Sequence, residues 1–190
     1  MQKIMNTISC ITQGSRGSTR SPDHTEPVID PLTTASWDST PEFTLEGVFR
    51  CKVIDVYDGD TFTVATNIPG MGVRRVTCRL LGVDTAEMRY KATEPRWEEL
   101  KQLAYRARDR VVRELTGTAV PEGYNRHDIR NLCTQSTKLV DVQFQGMDKY
   151  GRALAQVPCG DVSLTEILIN ERLALPYEGG TKQDITVLLG

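Results

Sequence analysis

The chain has 190 residues, of which 39% are hydrophobic, and a formal net charge of −2. This length suffices for one sizeable core and a tail, and the near-neutral charge excludes a protein that coats nucleic acid through bulk positive charge. No apolar run approaches the length of a membrane span. The five cysteines are scattered and form no C-x-x-C pair, and the chain has only two histidines, so a zinc site is not expected. The same cysteine pattern favours a reducing compartment.

The first part of the chain is predicted to be a tail. Residues 1–44 are rich in serine, threonine and proline and lack apolar periodicity, which indicates a disordered tail or linker. Residues 1–22 contain three basic residues and no acid, a composition that loosely fits an organellar targeting segment. A plain tail is favoured because the amphipathic pattern is poor, so the expected location is intracellular and cytoplasmic, with organellar targeting as the alternative.

The net charge is distributed unevenly along the chain. Residues 1–46 carry three basic and six acidic side chains, a net charge of −3, whereas residues 47–190 carry twenty basic and nineteen acidic side chains, a net charge of +1. If several of those acids surround a metal ion, the rest of the folded part is moderately basic. Any contact with nucleic acid is therefore expected to be local and sensitive to salt.

Three strands open the ordered part of the chain, which we expect to span residues 45–180. Their apolar patterns place them at residues 48–56, 61–66 and 75–83. The Asp58-Gly59 dipeptide is a strong signal for a tight turn between the first two strands. The third strand directs Arg79 to the face opposite its neighbours Cys78 and Leu80, because side chains alternate along a strand.

A long amphipathic helix is predicted at residues 94–116, with Thr93 as its cap and Gly117 at its end. Its apolar residues recur at helical spacing and leave several arginines outside, which we interpret as a solvated face rather than a binding surface. Residues 118–137 then form a long polar connection. Because a structureless loop of that length is uncommon inside a compact domain, we expect it to be mobile or functional.

Two further strands and a second helix complete the predicted domain. The strands cover residues 138–145 and 152–157 around a turn at residues 148–151, and a Ser163–Glu166 capping box starts the helix, which reaches about residue 173. Residues 181–190 are expected to be a short C-terminal tail. This order predicts an α+β fold: a five-stranded OB-type Greek-key barrel with a long helix between strands 3 and 4 and a second helix after strand 5.

Acidic residues are concentrated where neighbouring predicted strands end. Asp58 and Asp60 follow the first strand, while Asp84 and Glu87 follow the third, which also carries Arg79. Four carboxylates cannot converge without a counter-charge, since like charges raise one another's pKa. A bound hard cation such as calcium or magnesium is the simplest remedy, because all the ligands are oxygen. The arginine could then hold a phosphate through two hydrogen bonds, so the combination predicts phosphodiester chemistry.

Three motifs, taken together, resemble the staphylococcal nuclease (thermonuclease) family. They are V-Y-D-G-D-T at residues 56–61, R-L-L-G-V-D-T-A-E at residues 79–87 and D-K-Y-G-R at residues 148–152, with the long helix between the second and third. Each motif alone is weak, but jointly they are specific, and the resemblance covers about residues 47–178. It implies an OB-barrel nuclease that cleaves DNA and RNA with calcium, by attack of water at phosphorus, and leaves 3′-phosphate ends.

The resemblance also implies which residues hold the metal ion. Asp60 and Asp84 correspond to carboxylate ligands, and Thr85 corresponds to a ligand that uses its backbone carbonyl. Asp58 corresponds to an outer acid that reaches the ion through water. The implied cofactor is calcium in preference to magnesium, although both cations seek oxygen and the size of the site decides between them.

Further residues correspond to catalytic and substrate-binding positions of the family. Glu87 resembles the residue that orients or deprotonates the attacking water, and Arg79 and Arg152 resemble two arginines that clamp the phosphate. Such guanidinium groups stabilise negative charge where it develops on the phosphoryl oxygens. The implied nucleotide-contacting positions are Lys149, Tyr150 and Tyr177. Three departures are evident: Ala86 stands where the family often has proline, the loop at residues 118–137 is longer than the family's minimum, and the terminal helix of the bacterial enzyme has no evident counterpart.

Simpler interpretations compete with these assignments. Asp58 taken singly is better explained by turn chemistry alone, and Arg79 could form an ordinary salt bridge to Glu87, although this leaves Arg152 unexplained. For function, the alternatives are a non-catalytic nucleic-acid-binding or scaffold module with a nuclease-like fold, and a binding protein whose calcium is structural. The enzyme is preferred because its acids and both arginines are present. We expect a monomer acting on DNA, RNA or both, a choice that no motif decides.

Overall fold

A computed structural model describes residues 30–190. The chain divides into one unit that extends to Glu42 and a second from Phe43 to Gly190. In the described part of the first unit, a 3₁₀ helix spans Pro31–Thr34, and the Asp30 carboxylate caps it by accepting a hydrogen bond from the Leu32 N–H at 3.0 Å. The targeting segment considered for residues 1–22, and most of the tail predicted for residues 1–44, lie outside the described residues.

The second unit is built mainly on β-strands. Between residues 43 and 190 these are β1 (Glu46–Val56), β2 (Thr61–Ile68), β3 (Gly72–Leu80), β4 (Gly82–Thr85), β5 (Leu139–Met147), β6 (Ala153–Gln156), β7 (Pro158–Cys159), β8 (Val162–Ser163) and β9 (Ala174–Tyr177). The strands β1, β2, β3, β6 and β5 close, in that order, into a barrel. All neighbouring pairs are antiparallel except β3 and β6, which are parallel.

The barrel encloses the apolar core. Alternate residues of its strands point inward, and Val53, Phe62, Val64, Leu80 and Phe144 are almost fully buried there. Together with the helices described next, the closed mixed barrel of five strands confirms the predicted α+β class and the five-stranded barrel.

Three α-helices pack around the barrel within residues 43–190: α1 (Trp97–Thr116), α2 (Arg126–Gln135) and α3 (Leu164–Asn170). The end of α1 is confirmed, because Gly117 adopts φ 76° and its N–H bonds the Arg113 carbonyl at 2.9 Å. Its predicted start is wrong, since the helix begins at Trp97 after Arg96 in a left-handed conformation, and Thr93 does not cap it. No helix among residues 30–190 combines the length and apolar character that a membrane crossing requires.

The prediction that residues 118–137 form a loop is wrong, because they contain α2. The Asn125 side chain accepts hydrogen bonds from the N–H groups of His127 and Asp128, and the Asp128 carboxylate accepts one from the Asn125 N–H at 3.0 Å. This capping box starts the helix, and the burial of Ile129 and Cys133 fixes it to the domain. The capping box predicted at Ser163 and Glu166 is confirmed at the start of α3.

The third predicted strand is also corrected. Residues 75–83 do not form one strand, because the strand is interrupted at Leu81 and Gly82 adopts a positive φ of 82°. β4 then leaves the barrel and pairs antiparallel with β9, a strand that was not predicted. Beyond β9, a 3₁₀ helix at Ile185–Leu189 packs against the core within the segment expected to be a tail.

Candidate active site

The turn between β1 and β2 positions the first pair of acids. Asp58 Oδ1 accepts hydrogen bonds from the N–H groups of Asp60, at 3.0 Å, and Thr61, at 2.7 Å, so this carboxylate holds the turn. Burial raises the pKa of Asp58, and the Thr61 backbone hydrogen bond and the charge of Arg79 oppose that rise. The turn chemistry expected of Asp58 is therefore present.

Gly59 lets this turn approach α1 and β4 closely. A Cβ atom at this position would lie 2.7 Å from Thr85 Cγ2 and 2.8 Å from Ala107 Cβ, closer than real side chains allow. Only glycine fits sterically here, where Asp60 contacts Thr85. The glycine of the Asp-Gly-Asp motif consequently brings the two acidic segments together.

Arg79 connects the acids of the two segments. It lies opposite Thr61 in the β2–β3 register, and its guanidinium forms an ion pair with Asp60 Oδ1. Its Nη2 donates to the Val83 carbonyl at 2.9 Å and lies 3.5 Å from Asp84 Oδ1. Only 12% of the Arg79 side chain is exposed, and this burial lowers its pKa while the charge of Asp84 opposes the change. A guanidinium still remains charged at neutral pH.

Asp60 is held on both carboxylate oxygens. Oδ1 pairs with Arg79 and accepts from the Thr61 hydroxyl at 3.0 Å, while Oδ2 accepts from the Thr85 N–H at 3.2 Å and the Thr85 hydroxyl at 3.0 Å. Asp84 lies opposite Leu175 in the β4–β9 pair and is equally buried. The structure therefore brings the predicted metal-ligating residues Asp60, Asp84 and Thr85 together around one guanidinium.

Lys182 joins this cluster from the far end of the chain. Its Nζ lies 2.7 Å from Asp84 Oδ1 and 3.5 Å from Glu87 Oε1. Burial lowers the pKa of Lys182, but the hydrogen bond to Asp84 and the charges of Asp84 and Glu87 outweigh it and raise the pKa overall. Glu87 itself is 59% exposed, and its backbone N–H donates to the Tyr90 hydroxyl at 2.8 Å. Glu87 therefore lies at the solvent edge of the acidic cluster.

Arg152 reaches the same cluster from the turn before β6. Its Nη1 lies 3.5 Å from the Thr61 hydroxyl, which in turn bonds Asp60. Asp148 orients the arginine, because its carboxylate accepts from Arg152 Nε at 2.7 Å and from the Arg152 backbone N–H at 2.9 Å. Two arginines from distant segments therefore approach Asp60, one directly and one through a hydroxyl group.

The predicted nucleotide-contacting residues lie at different places. Tyr150 is 73% exposed, and the cationic groups of Lys149 and Arg152 lie 5.1 Å and 5.7 Å from its ring centroid. The Tyr177 hydroxyl instead donates to the Gly180 carbonyl at 3.2 Å, and no contact within residues 30–190 joins it to the acids. The structure thus associates Tyr150 with Arg152 but does not bring Tyr177 into contact with the acidic cluster.

The predicted oxygen ligands suit a hard cation chemically, although in this structure protein side chains already bind the two carboxylates. Asp60 and Asp84 offer carboxylate oxygens and Thr85 a backbone carbonyl, the ligand types that calcium prefers. Within residues 30–190, however, no group of three or more acidic, histidine or cysteine side chains is arranged to hold a metal ion. Asp84 Oδ1 already contacts two cationic side chains, so an ion at this carboxylate would compete with them.

The arginines on the outer face of α1 line a cavity of about 370 Å³, which also includes Glu171. Arg110 is paired with Glu114 at 2.8 Å and with Glu171 at 2.9 Å. These ion pairs neutralise Arg110, and the acidic cluster does not line the cavity. We therefore retain the interpretation of this surface as a solvated helix face.

Sequence reasoning missed Lys182, Thr61 and Tyr90 as members of the site. Thr61 and Tyr90 lie inside or beside the quoted motifs, so their proximity to the acids could have been inferred. Lys182 carries no such signal, because it is an isolated lysine 95 positions after Glu87 in a segment predicted to be a tail. Only the pairing of β4 with β9 brings this segment back to the acids.

No protein-family model matches this chain, and no curated protein matches it. The likeness to the staphylococcal nuclease family therefore remains a resemblance carried by three motifs, and the metal, catalytic and substrate-binding roles of individual residues remain predictions.

Proposed function

We propose that this chain is a metal-dependent nuclease that hydrolyses phosphodiester bonds of DNA, RNA or both by water attack at phosphorus and leaves 3′-phosphate ends. The observation that carries the proposal is the convergence of Asp60, Asp84 and Arg79 at one end of the barrel, with Arg152 and Glu87 at its edge. The closed barrel of five strands supports the finer proposal of an OB-type Greek-key fold.

In this proposal Asp60, Asp84 and the Thr85 carbonyl would hold a calcium ion. The bound ion would supply positive charge that stabilises the phosphoryl oxygens and activates water. Both aspartates are buried beside a positive charge, and a bound ion would share or replace that compensation. Buried carboxylates need such compensation to remain ionised.

Arg79 and Arg152 would bind the phosphoryl group of the substrate. Each is fixed by a second contact, Arg79 by the Val83 carbonyl and Arg152 by the Asp148 carboxylate. Donors that are oriented before the reaction stabilise the charge that develops in the transition state, and removal of one such donor typically lowers the rate by about 10²–10³. Both arginines are therefore held in place before a substrate binds, which supports this role.

Glu87 would orient the attacking water or accept its proton. Its carboxylate is exposed to solvent and shares Lys182 with Asp84, so it lies where water can approach the buried acids. A general base must lie within hydrogen-bond reach of the proton that it removes, directly or through one water molecule. The position of this exposed carboxylate beside the buried acids supports the role proposed for Glu87.

A second candidate function is a non-catalytic nucleic-acid-binding or scaffold module. The observation in its favour is that Asp60 and Asp84 are already neutralised by Arg79 and Lys182, while no metal-holding group is arranged among residues 30–190. In that case the ion pairs would be permanent structural contacts. Barrels of this type bind oligonucleotides without cutting them.

Substitution of Glu87 tests the proposal against this alternative. We expect Glu87→Gln to cut a fluorescent oligonucleotide at least about 10²-fold more slowly in calcium, because the amide cannot accept a proton from water. Oligonucleotide affinity, measured by fluorescence anisotropy, should change little. The matched control is Glu98→Gln, which alters an exposed glutamate in the first turn of α1.

Each outcome favours a different function. Cleavage in calcium that stops in EGTA, with loss in Glu87→Gln alone, supports the nuclease. Unchanged cleavage by Glu87→Gln would refute the role assigned to Glu87. Binding without cleavage by the unsubstituted chain, in calcium and in magnesium, would favour the non-catalytic module.

A further inference from the structure

Lys182 is a positive charge built into the candidate metal site. Its Nζ lies 2.7 Å from Asp84 Oδ1 and 3.5 Å from Glu87 Oε1, so one ammonium group bridges a predicted metal ligand and the predicted water-orienting residue. Asp84 is buried, with 8% of its side chain exposed, whereas 52% of the Lys182 side chain is exposed. This lysine therefore reaches from solvent onto a buried carboxylate.

The chain holds Lys182 in this position from both sides. On one side β9 pairs with β4, which carries Asp84 itself. On the other side, Asp184 accepts a hydrogen bond from the Thr186 N–H at 3.0 Å and caps the 3₁₀ helix at Ile185–Leu189, whose apolar side chains pack against the core. Residues 178–184 are thus a short connection between two anchored elements, which limits where the Lys182 side chain can lie.

A calcium ion and the Lys182 ammonium would compete for the same carboxylate. Calcium lies about 2.3–2.6 Å from its oxygen ligands, and Lys182 Nζ lies at a comparable distance, 2.7 Å, from Asp84 Oδ1. Two positive charges that close repel each other strongly away from bulk water. Binding of the ion to Asp84 therefore favours withdrawal of a cationic side chain.

Lys182 is better able to move than Arg79. Arg79 is buried and also bonds Asp60 and the Val83 carbonyl, so its withdrawal would break three contacts. Within residues 30–190, the Lys182 ammonium contacts only the two carboxylates, and its flexible four-carbon stem already lies partly in solvent. Withdrawal of Lys182 leaves no buried group without a partner once a cation replaces it.

We infer that Lys182 is a resident counter-ion of the candidate metal site, which competes with the metal for Asp84 and withdraws when the ion binds. The inference rests on the proposed function, because it takes Asp84 as a metal ligand. The competing interpretation is an ordinary surface ion pair with little influence on anything nearby. The two differ in what they predict for metal affinity in the absence of nucleic acid.

Calcium titration of the full chain by calorimetry distinguishes them. We expect Lys182→Met to bind calcium about tenfold more tightly than the unsubstituted chain, as when a competing state that occupies about nine molecules in ten is removed. Lys182→Arg keeps the charge and should bind calcium nearly as the unsubstituted chain does. Arg89→Met is the matched control, because Arg89 is an exposed cation near Glu87 in sequence without an ion pair in the described part of the chain; its affinity should change less than about twofold.

A second measurement needs no substitution. If Lys182 withdraws, calcium should accelerate acetylation of its amine several-fold, as followed by mass spectrometry, because an ammonium released from two carboxylates is more accessible. Lys91, which is exposed, should react at the same rate with calcium and with EGTA. The acetylation rate shows whether Lys182 withdraws on calcium binding even if Lys182→Met folds poorly.

The outcomes separate this inference from the function on which it rests. Equal calcium affinity for Lys182→Met and the unsubstituted chain, with unchanged acetylation of Lys182, would overturn the counter-ion and leave the nuclease proposal standing. Absence of calcium binding by every variant at millimolar concentrations would overturn both. Tighter binding by Lys182→Met alone, with calcium-dependent acetylation, supports the inference.

Discussion

At the scale of single residues, the candidate site depends on side chains that hold another functional group in place. Asp148 is the clearest case, since its carboxylate accepts hydrogen bonds from the backbone N–H groups of Tyr150 and Arg152 and from Arg152 Nε. Partial burial would raise the pKa of Asp148, but these hydrogen bonds, those from Arg152 foremost, hold it below its ordinary value. The charge on Asp148 therefore stabilises the folded chain.

This pKa shift predicts how stability depends on pH. A carboxyl group whose pKa is lower in the folded state stabilises it above the unfolded pKa of about 3.9, and the contribution is lost as the pH falls through the folded value. We expect Asp148→Asn to reduce the free energy of unfolding by about 1 kcal/mol at pH 7, with a smaller deficit below about pH 4. Urea denaturation at several pH values measures this difference.

The control for this experiment is Asp161→Asn, which alters an exposed aspartate in the turn between β7 and β8. It should change stability little at any pH. A deficit of the same size at pH 7 and pH 3.5 for Asp148→Asn would contradict the role given to the charge.

At the scale of secondary-structure elements, α2 shows how a polar segment can be fixed to a barrel. Asp55 of β1 is buried, and its Oδ2 accepts from Arg130 Nη2 at 2.9 Å and Arg126 Nη2 at 3.3 Å, whereas Oδ1 has no partner in the described part of the chain. Arg126 also lies 4.5 Å from the ring centroid of Tyr57. The buried Asp55 carboxylate therefore attaches two successive turns of α2 to β1.

Because both arginines serve one oxygen, their contributions should not add. We expect Arg126→Met or Arg130→Met alone to cost less than about 1 kcal/mol of unfolding free energy, since each arginine is about half exposed and the other still compensates Asp55. The double substitution should cost about 2–3 kcal/mol, because it leaves a buried charge without a partner. Chemical denaturation of the three variants gives the coupling free energy between the two substitutions.

The coupling has an internal control. In an Asp55→Asn background no buried charge remains to be compensated, so the same two arginine substitutions should become additive. Additive losses in the presence of Asp55 would show that the carboxylate does not attach α2.

The elements differ in how far the sequence could predict them. Strands with alternating burial and clear turns, such as β1 and β2, were predicted nearly in full, and so was the end of α1 at Gly117. The Asn125–Asp128 capping box could have identified α2, but few of its residues are apolar and its polar composition favoured a loop. The break at Gly82 lies inside an apolar run, where this glycine is a weak local signal, and the pairing of β4 with β9 explains where the strand goes.

At the scale of the whole molecule, the candidate site is assembled from four separate segments of the chain, which carry Asp60, Asp84, Arg152 and Lys182. The motifs around Asp60 and Asp84 meet because β2 and β3 are paired and Gly59 allows close approach. Arg152 arrives because β6 lies parallel to β3. These contacts follow from the barrel, which the sequence predicted, whereas the approach of Lys182 follows from β9, which it did not. The sequence therefore predicted the core of the cluster and missed its counter-ion.

The measurement that tests the central claim most directly is end-group analysis of digested nucleic acid. Plasmid DNA and a defined RNA would be incubated with the purified chain in calcium, with EGTA as control, and the products identified by mass spectrometry. The account predicts cleavage only with calcium, to products with 3′-phosphate and 5′-hydroxyl ends. No cleavage of either polymer in calcium, or products with 5′-phosphate ends, would contradict it.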